Sequence, residues 1–146
     1  MTISKFPNDA TYKHFQAEEF DHPDKLDPEL LLLLDWTRAD SGVPFIITSD
    51  YRTPEHNKRI GGSPYSLHPA GLAVDWVTPA SRLRDKRAFQ VELFEICFAF
   101  FLNAQQFEHR RLQFELVQGP TDWHLHLGMY PVGDEAHPNR LILAVD

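Results

Sequence analysis

The stretch DWHLHL, residues 122–127, alternates large apolar side chains with polar ones. Side chains along a β-strand point to opposite faces in turn. Trp123, Leu125 and Leu127 therefore share one face, and Asp122, His124 and His126 share the other. Two further stretches carry the same asymmetry. In LAVDW, residues 72–76, Leu72, Val74 and Trp76 stand opposite Asp75. In LQFEL, residues 112–116, Leu112, Phe114 and Leu116 stand opposite Gln113 and Glu115. Strands that are apolar on one side only predict an antiparallel sheet with helices packed on that side. The expected fold class is α+β, with a polar cleft on the open face of the sheet. That face gathers Asp75, Glu115, Asp122, His124 and His126.

Outward from the strands, LDPELLLLLDWTRADSG (26–42) reads as a helix. Asp27 caps it, Pro28 takes its first position and Gly42 ends it. VPFIITS (43–49) is expected as a short buried strand. SRLRDKRAFQVELFEICFAFFLNAQ (81–105) is expected as a long helix, central because its second half is so apolar. The GPTD at 119–122 suits a turn between two strands, and RLILAV (140–145) suits a last strand. Residues 1–25 are polar and irregular, anchored by Phe15 and Phe20. The segment DYRTPEHNKRIGGSPYSLHPAG (50–71) is rich in Gly and Pro and has no steady period. A long ordered loop in a compact domain usually carries a site.

The bulk properties bound the function. A chain of 146 residues suits one domain, residues 1–146, without staples. The net charge of −7 disfavours a nucleic-acid grip, which needs clustered Lys and Arg. The basic run from Arg82 to Arg87 suits the exposed start of a helix. The single cysteine, Cys97, excludes an internal disulfide and reads as a buried core thiol. The N-terminal stretch lacks the apolar core of a signal peptide, and no run is long enough to span a bilayer. The chain is expected to be made as a soluble cytoplasmic monomer without membrane insertion.

His68, on the loop before one strand, can meet Asp75 on that strand, and His126 or His124 can complete the set from a neighbour. Two imidazoles and a carboxylate make a catalytic zinc site, with a fourth position left for water. His14, His22, His56, His109 and His137 have no partner pattern. Gly61 and Gly62 suit a tight turn, Asn57 a bracing hydrogen bond in the loop, and Tyr51 and Trp76 packing.

The segment SLHPAGLAVDW (66–76) resembles the Ser-x-His-x-x-Gly-x-Ala-x-Asp motif of the M15 peptidases, the zinc D-alanyl-D-alanine peptidases whose fold is shared with the signalling domain of hedgehog. FQAEEF, LDPELLLLLDWTR, IITSDYRTPEHNKRIGG and WHLHLGMY are similar to family segments in the same order, over about residues 15–130. The resemblance implies Zn2+ held by His68, Asp75 and a histidine of the last motif. Relatives with His-x-His use the second histidine, here His126; those with Glu-x-Trp-His use the one after tryptophan, here His124. In the latter register the family's glutamate falls on Thr121, which favours His126 as ligand and leaves His124 lining the site. Ser66 matches a serine two residues before the ligand histidine. Arg52 matches an arginine that holds a substrate carboxylate or orients the scissile peptide. The general base is Glu115 or Asp122, with Glu115 preferred.

The function so implied is hydrolysis of peptidoglycan stem or cross-bridge peptides, as a D-Ala-type carboxypeptidase or endopeptidase. Small size and the missing signal peptide resemble phage lysis or virion-associated enzymes, released by a holin or carried in the virion. The alternatives are a zinc-binding module of the same fold without peptidase activity, and a structural phage component that docks a partner in the cleft.

Overall fold

The computed structural model describes residues 12–78, 86–118 and 123–132. Helix α1 spans Pro28–Ser41, with the Asp27 side chain accepting a hydrogen bond from Leu30 N at 3.0 Å. Gly42 closes it in the left-handed region at φ 68°, where a side chain would be strained. The strands are β1 (Ile46–Ser49), β2 (Ala73–Val77), β3 (Arg110–Gln118) and β4 (Trp123–Pro131). Between them lie α2 (Pro54–Arg59) and α3 (Lys86–Asn103).

The four strands form one antiparallel sheet in the order β1-β2-β4-β3. Val74 and Trp76 of β2, Leu112, Phe114 and Leu116 of β3, and Leu125 and Leu127 of β4 are buried in the main core, as strand parity predicts. Helix α1 adds Leu30, Leu31, Leu33 and Leu34 to it, and α3 adds Leu93, Phe94 and Cys97. Both helices thus cover the apolar face. Phe15 and Phe20 enter the same core, and buried Asp35 of α1 accepts from His14 N at 2.8 Å, pinning the preceding segment. Burial pushes the Cys97 thiol up to about 12, so it packs as an inert apolar group. Trp76 stacks on Phe45 at 4.9 Å.

Three details depart from the sequence reading. Strand β1 is an edge strand, and Ile46 is half exposed; Phe45 is the residue that buries. Leu72 lies just before β2 and packs with Leu67, Ala73 and Tyr130 on the opposite side from Val74. The long segment 50–71 holds a short helix, α2, begun by Thr53, whose hydroxyl accepts from His56 N at 3.1 Å. Residues 82–85, the 119–122 turn, Asp122 with it, and the 140–145 strand lie outside the described residues.

Candidate metal centre

The polar face is organised by register. One row crosses all four strands: Ser49 stands opposite Asp75, Asp75 opposite His126, and His126 opposite Glu115. A bulge between Ile47 and Ser49 sets the β1 end of this row. Bulges re-aim side chains in this way beside many sites. Opposed residues in antiparallel strands have Cβ atoms about 5 Å apart, which is within reach of an imidazole or a carboxylate.

His68 reaches the row from outside the sheet. It begins a 3-10 turn, His68–Ala70, whose start is braced by Ser66 Oγ accepting from His68 N at 3.2 Å. Gly71 ends the turn at φ 71°, and a Cβ there would overlap the Lys25 carbonyl. Only glycine lets the chain double back so closely into β2.

Donor atoms of His68, Asp75 and His126 come within 4.8 Å of one another, and all three residues are buried. His68 Nε2 is 3.3 Å from Asp75 Oδ2, and His126 Nδ1 is 2.7 Å from Asp75 Oδ1. Burial works to raise the Asp75 carboxyl. Hydrogen bonds from His126 and His68, with the charge of those rings, overcome it and hold the group well below the usual carboxylate range.

The donor set fits zinc in chemistry and in its support. Each imidazole turns one nitrogen to the cluster and is held by the other. His68 Nδ1 donates to the Asp50 carbonyl at 2.5 Å, which leaves Nε2 to the cluster. His126 Nε2 is held by Gln113 Oε1 at 2.6 Å, which leaves Nδ1. Outer hydrogen bonds of this kind orient metal-binding histidines.

The other residues surround this cluster. Arg52 donates from Nε to Ser49 Oγ and from Nη1 to Asn57 Oδ1, both at 3.2 Å, and its Nη2 lies 3.6 Å from Asp75 Oδ2. Asn57 also donates to Ser63 O at 2.9 Å, so it braces the loop as expected, and a Cβ on Gly62 would overlap its side chain. His124 Nε2 is 3.6 Å from Asp75 Oδ2 at the more open end of the cluster. Glu115 is half-buried on the site face beside His126.

Sequence reasoning missed three supports. Strand parity puts Gln113 on the polar face but points to no role for it. Asp50 supplies the carbonyl that holds His68, while its buried carboxylate accepts from His22 N at 2.8 Å. Ser49 aligns Arg52 only because the β1 bulge turns it to the site. No spacing signal in the sequence announces these contacts. His22 also has a partner after all, with its Nδ1 3.1 Å from Asp50 Oδ1.

Compared with known families, residues 8–99 match the model of Peptidase M15. That span includes Arg52, His68 and Asp75 and ends before Glu115, His124 and His126. No curated protein and no solved structure matches the chain.

Proposed function

The chain belongs to the Peptidase M15 family, and on that premise we propose that it is a zinc metallopeptidase acting on the stem or cross-bridge peptides of peptidoglycan. The observation that carries this is the convergence of His68, Asp75 and His126 within 4.8 Å on one sheet face. These three residues would hold the metal. Zinc bound there supplies Lewis acidity toward a peptide carbonyl and toward water.

The remaining groups take roles by position. Ser49 and Asn57 engage two of the five N–H donors of Arg52 and its Nη2 faces Asp75, so the guanidinium edge beside the cluster can turn a remaining donor to a substrate carboxylate or carbonyl oxygen. The fixed fork holds the peptide against the Asp75 row. Glu115, beside His126 in the same row, accepts the proton of the attacking water and passes it to the leaving amine. Asp122 is the rival for that task. His124, at the open end, stabilises the developing oxyanion. Ser66 lines the approach on the loop that carries His68. The proposal extends to a monomeric phage lysis or virion-associated enzyme that reaches the wall by holin release or in the virion.

Purified peptidoglycan, digested and read by mass spectrometry, tests the proposal. Free D-alanine indicates a carboxypeptidase, and cut stems or cross-bridges an endopeptidase. Activity should vanish with chelator and return with zinc. One observation keeps a second reading in view: the family match ends before β3 and β4, which hold Glu115 and His126. A chain that binds one zinc and cuts nothing is a zinc-binding module of this fold.

A further inference from the structure

We infer that Gln113 is a positioning residue: its side-chain oxygen keeps the proton of His126 on Nε2 and so reserves Nδ1 for the metal. This rests on the zinc site proposed above. Gln113 Oε1 lies 2.6 Å from His126 Nε2, and His126 Nδ1 faces Asp75 Oδ1 at 2.7 Å. A carbonyl oxygen accepts and does not donate, so the nitrogen facing it carries the hydrogen. Nδ1, which shares its hydrogen with the Asp75 carboxylate here, is then the nitrogen that a cation would take by displacing that hydrogen.

The contact is diagonal across the sheet. Gln113 pairs with Gly128, and His126 pairs with Glu115. The residue directly opposite the imidazole is therefore not the one that holds it. Gln113 reaches the ring because the strand position facing it is bare. A Cβ on Gly128 would stand 3.2 Å from Gln113 Oε1, 3.5 Å from His126 Nε2 and 2.6 Å from Leu67 Cδ1. Leu67 is buried beside this position, and the Gln113–His126 hydrogen bond there is partly shielded from water. A hydrogen bond kept from water holds an orientation better than an exposed one.

The test separates acceptor from bulk. Gln113→Met keeps length and volume without an acceptor, and Gln113→Glu keeps an acceptor at the same reach. Zinc affinity is measured by competition with a chromophoric chelator, with circular dichroism to confirm folding. Gln113→Met should bind zinc roughly 10- to 100-fold more weakly, the usual loss for such an outer partner. Gln113→Glu should bind within a few-fold of wild type or more tightly. A packing role predicts the reverse order. The inference is overturned if wild type binds zinc, His126→Ala does not, and Gln113→Met binds as tightly as wild type. It is equally overturned if Gln113→Glu loses as much as Gln113→Met. If wild type itself takes up no zinc, the site proposal and this inference fall together.

Discussion

Asp75 is the residue on which the site turns. It meets His68, His126, His124 and Arg52 within 3.6 Å, and it is buried. A carboxylate so placed is held ionised by its neighbours, and removing it leaves two buried imidazoles and the Arg52 guanidinium without their shared acceptor. Asp75→Ala should therefore abolish zinc binding. His68→Ala and His126→Ala should do the same, while His124→Ala should keep one zinc per chain and lose activity. Metal analysis of the four purified variants checks this. Zinc kept in His126→Ala and lost in His124→Ala would reverse the two histidines. Glu115→Gln is the complementary case. It keeps the shape and the metal but removes the proton acceptor, so the turnover rate should fall by roughly two orders of magnitude or more. If Glu115→Gln stays active with zinc bound, the base lies elsewhere.

At the scale of elements, the site depends on how each strand is entered. The 3-10 turn at His68–Ala70 delivers its histidine only because Gly71 bends the chain against the Lys25 carbonyl. Gly71→Ala combines a left-handed φ with a backbone overlap. It should cost roughly 2 kcal/mol or more in urea unfolding, and zinc affinity should fall with it. These elements were unequally legible in the sequence. Helix α1 could be read to its ends because Asp27, Pro28 and Gly42 are local signals whose geometry does not depend on the rest of the fold. The two faces of β2, β3 and β4 could be read because parity is a property of the strand itself. Helix α2 could not, since PEHNKR has no apolar stripe and only the Thr53-Pro54 start marks it. The burial of β1 was misread because an edge position is decided by strand order. Gln113 was seen on the right face, but its diagonal reach to His126 depends on a glycine in another strand. The sequence therefore revealed the ligand candidates, whereas the groups that hold them needed the register.

At the scale of the whole molecule, the donor set is assembled by tertiary structure alone. Asp75 and His126 are 51 residues apart in sequence, and β4 joins them only by entering between β2 and β3. The unfolded chain has no such cluster, so a metal that binds it binds the native state. Zinc at a hundredfold excess over its dissociation constant then adds about 2.7 kcal/mol. For a domain of this size that should raise the thermal midpoint by roughly 5–10 °C, a shift reversed by chelator and absent in Asp75→Ala. Acid has a related effect on the metal-free protein. The Asp75 carboxyl is held below its usual range when folded, so between the unfolded and folded values the unfolded chain binds more protons. Its contribution is full above the ordinary aspartate value of about 4 and is lost as pH falls toward the folded value. The midpoint of the metal-free protein should therefore drop as pH goes below about 4, and drop less steeply in Asp75→Asn. Thermal melts of both proteins across that range, with chelator present throughout, test this. Equal slopes for the two would mean that Asp75 does not govern the acid limb.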